Sequence, residues 1–254
     1  MFRKEMKIES NRLIALDTYE MVLEGDLVQY IKNPGHFIHI QIGEGTAHML
    51  RRPISIADYD KQINQLTIIY KVFGEGTDWL ARQLPGGQIN VLGPLGNGFD
   101  LSGIQGQTVI VIGGGVGVPP LYNLVKQLNS QFNDVTAILG YQSKVSIFYE
   151  KEFKDLTQTY IATDDGTYGY DGLVTDVIRE LRFSYDHYFS CGPTGMLKAV
   201  QHQLSDIDGY ISIEERMGCG VGACFACVCQ ADNDKGYVKI CQDGPVFHAK
   251  EVTL

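Results

Sequence analysis

The chain has no apolar run long enough to cross a bilayer. The longest, TVIVIGGGVGVPPL from Thr108 to Leu121, is broken by glycine and proline and falls short of the roughly 20 residues a span needs. No apolar stretch follows the basic start MFRKEMKIESNRL, so a secretory leader is not expected and the chain reads as cytoplasmic. Positive charge is scarce: 21 Lys and Arg stand against 30 Asp and Glu. The resulting net charge of −9 repels phosphate backbones and argues against a nucleic-acid partner. Cysteine is scarce as well, yet four of the six lie between Cys219 and Cys229. In a reducing compartment such clustering points to metal rather than to disulfides. What is left is an ordinary composition, 44% hydrophobic and 20% charged, enough for two modest domains and a small appendage.

Three segments are legible, with no repeat period or low-complexity tract. Residues 1–103 read as β structure. HFIHIQIG puts Ile38, Ile40 and Ile42 on one face of a half-buried strand, and QLTIIYKVF repeats the alternation with Leu66, Ile68, Tyr70 and Val72. Short strands punctuated by Gly, Pro and Asn predict a small antiparallel barrel. Over 104–209 the rhythm changes to continuous apolar strands and helical spacing: QTVIVIGG, VPPLYNLVKQLNS, VTAILGY, FYEKEFKDL, TYIAT, GLVTDVIRELR, HYFSCG and PTGMLKAVQHQLSD. Such a βαβ series predicts a parallel sheet with helices on both faces. In 210–254 a strand, YISIEE, leads into the cysteine loop. A segment with so little core of its own suggests a staple such as a metal. The fold class is therefore a β-barrel plus α/β, with a small C-terminal unit.

Ligands of open parallel sheets bind beyond the carboxyl ends of the strands. Three such ends stand out: GGGVGVPP, TDDG at Thr163–Gly166 and SCGPTGM at Ser190–Met196. Glycines from Gly113 to Gly117 let the backbone approach a ligand at a helix start that favours anions. The spacing is not G-x-G-x-x-G, and no acidic residue closes the second strand, LGYQSK. Cys191 carries two readings, a thiol activated by the following helix N-terminus or a small residue filling a tight corner. In RRPISI, Arg52 has the reach to grip a diphosphate while Ser55 reaches another acceptor, and Gly74, Gly76 and Thr77 of FGEGTDWL open a second anion-friendly turn. The plainer alternatives are a surface arginine and a capped helix.

Cys219, Cys224 and Cys227 follow C-x4-C-x2-C, and Cys241 comes after thirteen intervening residues. This is the order of plant-type [2Fe–2S] sites, whereas structural zinc favours two tight C-x2-4-C knuckles. Glycine and alanine between the sulfurs let a loop wrap a bulky anionic cluster and turn N–H groups towards it. Cys229 is left over as a packed thiol, pointing away from the other sulfurs.

PGHF, RRPIS, FGEGT, GPLGNGF, GGGVGVPP, TDDGTYG, CGPTGM and MGCGVGACFACVC…CQDGPVF occur in this order over nearly the whole chain. Together they resemble the electron-transfer subunits of NAD-linked dihydroorotate dehydrogenase B, within the broader ferredoxin–NADP reductase superfamily. The resemblance implies that Arg52, Pro53, Ile54, Ser55, Ile69, Tyr70 and Lys71 hold FAD, with Gly76 and Thr77 at its diphosphate. It implies a nicotinamide side built from Gly113, Gly114, Gly115, Gly117, Gly192 and Pro193, with Cys191 near the flavin. Cys219, Cys224, Cys227 and Cys241 are implied to ligate [2Fe–2S]. The implied partner is an FMN-containing barrel that oxidises dihydroorotate to orotate in pyrimidine biosynthesis, in a complex of two copies of each. Electrons are then expected to pass from FMN through the cluster and FAD to NAD⁺. No residue here chooses NAD over NADP; that choice rests on the resemblance. Two other readings stay open: a diaphorase-type subunit of a hydrogenase, sulfide dehydrogenase or glutamate synthase complex, and a non-catalytic module with structural zinc.

Overall fold

Apolar alternation in the first hundred residues closes into a ring. The computed structural model describes residues 1–254 apart from 44, 46, 47, 182 and 183. Strands β1 (Phe2–Ala15), β2 (Thr18–Glu24), β3 (Phe37–Ile40), β4 (Arg52–Asp60), β5 (Gln65–Lys71) and β6 (Gln88–Leu95) form a closed barrel in the order β1-β2-β5-β4-β3-β6. The long β1 closes it by pairing twice, from Phe2 to Lys7 with β6 and from Lys7 onward with β2. Met6, Ile8, Leu23, Ile38, Ile40 and Ile68 fill the interior. Helix α1 (Glu75–Ala81) follows β5.

One strand departs from the expected pattern. Ile38 and Ile40 point inward as alternation predicts, but Phe37 and His39 on the outer face are buried too. The chain's last forty residues cover that face. Gly96 and Pro245 show how tight the contact is: a Cβ at Gly96 would lie 2.5 Å from the Pro245 ring. Asn97 N–H donates to the Gly244 carbonyl at 2.6 Å, and its side chain donates to the Asp243 carbonyl at 3.1 Å.

The second segment builds β7 (Thr108–Gly114), α2 (Pro119–Ser130), β8 (Asp134–Tyr141), α3 (Glu150–Lys154), β9 (Gln158–Thr163), β10 (Tyr170–Asp171), α4 (Val174–Leu181), β11 (His187–Cys191), α5 (Thr194–Gln203) and β12 (Asp208–Ser212). Buried on both faces, β7 sends Ile110 and Ile112 towards α4 and α5, and Val109 and Val111 towards α2 and α3. Helix α3 is shorter than FYEKEFKDL suggests, because Tyr149 takes a left-handed φ of 59° immediately before it. Arg182, at the end of the helix expected over GLVTDVIRELR, lies outside the described residues.

The remaining strands are β13 (Val228–Ala231), β14 (Tyr237–Lys239), β15 (Val246–His248) and β16 (Val252–Thr253). Three of them form a small sheet, β14-β13-β16. The fourth, β15, runs antiparallel to β12 and completes a seven-stranded sheet ordered β10-β9-β8-β7-β11-β12-β15. Residues 210–254 therefore share a core with the α/β sheet, where Ile240 and Phe247 join Tyr188 and Ile211. Among the described residues, no helix is long and apolar enough to cross a membrane.

Two polar seams join barrel and sheet. Asp58 on β4 accepts from Asn123 at 2.6 Å and Lys126 at 2.7 Å on α2, and Glu20 on β2 accepts from Tyr149 at 2.7 Å. Ile112 lies at the centre of the parallel sheet with no exposure. Ile112→Ala is expected to lower unfolding free energy by about 2–5 kcal/mol, read as an earlier denaturation midpoint with an unchanged slope.

Candidate functional site

The chain order of the sheet locates the site. From β7 the chain runs outward through β8, β9 and β10, then returns to the other side of β7 with β11 and β12. The order reverses between β7 and β11, and ligands of such sheets bind beyond that switch point. A cavity of about 700 Å³ lies there, lined by Gly114, Gly115 and Gly117 from one strand end and by Gly192–Met196 from the other. Close approach dictates the glycines. A Cβ at Gly117 would lie 2.4 Å from the Cys191 carbonyl oxygen, and one at Gly114 2.5 Å from Met196 Sδ. Gly113 turns the other way, against Val118 and Leu121, and supports the loop from below. Asp164, beyond β9, brings to this cavity an acidic group that the end of β8 lacks.

A second cavity, of about 290 Å³, lies between the barrel and the C-terminal segment. One wall is Pro53, Ile54 and Ser55 of β4 with Ile69, Tyr70 and Lys71 of β5; the facing wall is Ser212–Glu215 and Met217. It is a largely apolar slot near the lower size limit of ligand pockets, suited to a flat ring. The two cavities share Lys71, Phe73, Val116 and Glu214. Glu214 is reached from the clefts but crowded by protein, and desolvation pushes its carboxyl up to about 7. Water entering the clefts moderates this shift, and a ligand that displaces the water strengthens it.

Arg52, Gly76 and Thr77 line neither cavity but gather beside Pro53. A Cβ at Gly76 would lie 2.7 Å from Arg52 Nε, so the glycine gives the guanidinium its resting place. Thr77 Oγ1 accepts from Phe73 N–H at 2.8 Å and fixes the turn. Among the described residues the Arg52 side chain donates only to the Leu50 and Arg51 carbonyls, which leaves its charge without a carboxylate. Its neighbour Arg51 is spent on structure, donating to the His39 carbonyl, Asn90 and Gln41.

Cys191 is fully buried at the end of β11 and lines neither cavity. Burial pushes its thiol well up, Glu214 adds to the shift, and a hydrogen bond with Ser212 opposes it without reversing it. Of the two readings of this residue, the packed thiol describes its surroundings.

In the cysteine loop the sulfurs fall into two pairs. Cys219 N–H points to Cys224 Sγ at 3.3 Å, and Cys241 N–H to Cys227 Sγ at 3.4 Å. Further backbone N–H groups converge on the sulfurs, from Val221 and Ala223 to Cys219 at 3.4 and 3.3 Å and from Gly222 to Cys241 at 3.1 Å. Burial alone raises the Cys219 thiol, but the N–H groups of Val221, Cys224 and Ala223 outweigh it and hold it at about 6. Among the described residues, no three His, Cys, Asp or Glu side chains surround one point as a single ion requires. Backbone amides turned towards cysteine sulfurs suit an iron–sulfur cluster. Lys239 braces the loop, donating to the Gly222 carbonyl at 2.8 Å and lying 3.7 Å above the Phe225 ring. Cys229 stands apart on β13, its thiol directed at the Gln230 and Thr253 carbonyls.

The sequence reading missed Glu214, Phe73, Val116 and Met217. Glu214 had a signal, since it follows the apolar strand YISI at a carboxyl end; Phe73, Val116 and Met217 acquire their places only when three segments meet.

Comparison with known proteins follows the same division. Residues 214–253 match the iron–sulfur cluster binding domain of dihydroorotate dehydrogenase B, and residues 111–202 match the oxidoreductase NAD-binding domain. The chain is similar to the dihydroorotate dehydrogenase B (NAD(+)) electron transfer subunit of Bacillus pumilus, 53% identical over 100% of this chain and 99% of that one. It is 50% identical to the subunit of the same name from Bacillus velezensis, with 100% of both covered. Among solved structures, an NADH-dependent reduced ferredoxin-NADP oxidoreductase described for flavin-based electron bifurcation superposes with a TM-score of 0.87 and 28% identity, over 98% of this chain and 89% of that one.

Full burial makes Cys191 unreactive in the folded protein. Iodoacetamide at mildly alkaline pH is expected to leave Cys191 unlabelled until denaturant is added, as peptide mass spectrometry of native and unfolded samples can read.

Proposed function

The chain belongs to the family of dihydroorotate dehydrogenase B (NAD(+)) electron transfer subunits, and we propose that its two abutting cavities and its cysteine loop form one path for electrons. It is the oxidoreductase component that serves a catalytic partner subunit, with FAD, an iron–sulfur cluster and NAD⁺ as its redox groups. Bound FAD would supply a group able to accept electrons one at a time and pass them on in pairs. The observation that carries the reading is the wall common to both cavities, Lys71, Phe73, Val116 and Glu214, together with Met217, which lines the smaller cavity two residues before Cys219.

In this reading Pro53, Ile54, Ser55, Ile69, Tyr70 and Lys71 clamp the flavin ring in the smaller slot. Arg52, whose guanidinium meets no carboxylate among the described residues, grips the diphosphate beside the Gly76–Thr77 turn. Gly114, Gly115, Gly117, Gly192 and Pro193 present backbone to the dinucleotide in the larger cavity, while Gly113 supports the loop from beneath. Cys191 acts from behind the wall, its carbonyl packed under Gly117, so its part is positioning rather than chemistry. Cys219 with Cys224 would hold one iron, and Cys227 with Cys241 the other. Exclusion of water by the apolar walls protects a reduced flavin from solvent. The partner in this reading carries FMN and the dihydroorotate site, in a complex with two copies of each chain.

Two substitutions test the assignment separately. Arg52→Ala is expected to weaken FAD binding by about 1.5–3 kcal/mol, roughly a ten- to hundredfold rise in Kd, with iron unchanged; normal flavin occupancy after dialysis would count against it. Cys224→Ser is expected to strip iron while leaving FAD in place, read by metal analysis and by the flavin spectrum of the same sample.

A further inference from the structure

His39 has no part in the function described so far, and its surroundings are unusual. It lies in the middle of β3 with no exposed surface, and neither ring nitrogen has a hydrogen-bond partner among the described residues. A buried donor without a partner is costly, so the position calls for a reason. The ring packs against the cysteine loop: a Cβ at Gly220 would lie 2.5 Å from His39 Nδ1. Gly220 is also at φ +72°, so the loop passes the ring in a conformation that favours glycine. A neutral imidazole has one N–H to give. The carbonyls of Arg51 and Cys219 lie near enough to act on its charge, but neither completes a hydrogen bond. The backbone of His39 is fixed independently, its carbonyl accepting from Arg51 at 3.1 Å.

Strand geometry links this contact to the flavin slot. Side chains two residues apart share a face, and Phe37, two residues before His39, lines the smaller cavity. One outer face of β3 thus touches the flavin slot through Phe37 and the cysteine loop through His39. The loop returns the contact at Met217, which lines the same slot.

We propose that His39 is a positioning residue for the iron–sulfur loop, seating it against the flavin barrel and donating its free N–H to the Cys219 carbonyl when the loop is loaded. The proposal rests on the cluster reading above and deepens it. Polarising the peptide that follows a ligand, and holding that ligand at fixed depth, changes the hydrogen bonding and solvent exposure that set cluster potential. The same contact orders the loop amides that face the sulfurs.

The test uses the intact holoprotein, as wild type, H39F and H39Q. Phenylalanine fills the space without a donor; glutamine keeps an N–H on a side chain of similar reach. Wild-type iron is counted first, and an iron-free wild type sinks the cluster reading rather than this one. With iron present, cluster midpoint potential is followed by EPR-monitored titration and amide exchange at residues 218–222 by mass spectrometry. H39F is expected to shift the midpoint to lower potential and to speed exchange by about fivefold, as for the loss of one ordinary hydrogen bond. H39Q is expected to stay near wild type, and FAD content to be equal in all three. Iron lost from H39F but kept by H39Q supports the same assignment. Iron lost from both, H39F matching wild type in potential and exchange, or H39Q shifting as far as H39F would overturn it.

Discussion

The placement of the cysteine loop depends on one constraint: the C-terminal segment is gripped from two sides. Strand β15 is a strand of the large sheet, paired with β12, and the turn before it is bonded to Asn97 at the end of the barrel. The segment has no separate core of its own and shares the one beneath α4 and α5. A loop fixed in this way needs no large private core to hold its sulfurs at a set distance from the smaller cavity. Electron transfer by tunnelling depends on such a distance, so in the proposed reading the anchors serve the redox path.

The same grip builds the smaller cavity. Its barrel wall, β4 and β5, is complete without the C-terminus, but the facing wall is Ser212–Glu215 and Met217. The slot therefore forms where barrel, sheet and C-terminal segment meet, and the larger cavity opens along its shared edge. A two-electron exchange needs close contact between donor and acceptor rings, which suits the common wall. A one-electron exchange needs only proximity, which suits the less direct approach through Met217 and the loop.

Local features were legible in the sequence where they depend on neighbours in the chain. The barrel alternation of Ile38, Ile40, Leu66 and Ile68, the apolar run of β7 and the C-x4-C-x2-C spacing are of this kind. What stayed hidden depends on remote contacts. His39 reads as the solvent side of a half-buried strand, because the Gly220 that covers it lies far along the chain. Cys191 offers a helix-activated thiol on paper, but complete burial beneath the Gly117 turn reverses the sign of the effect. Arg51 and Arg52 are indistinguishable as letters, and only the Asn90 and Gln41 side chains beside Arg51 show which guanidinium is already engaged.

Strand β1 carries a consequence for assembly. Its opening residues pair with β6, with Phe2 opposite Gly93, while its later residues pair with the adjacent β2. A β1-β2 hairpin can form early, but the hoop closes only when a strand from the far end of the segment arrives, and such long-range closure is slow. Until then two strand edges stand open to self-association. Once shut, the hoop cannot splay at β4 and β5 without breaking the hydrogen bonds between them, so a ligand of the smaller cavity meets a wall already in its final shape.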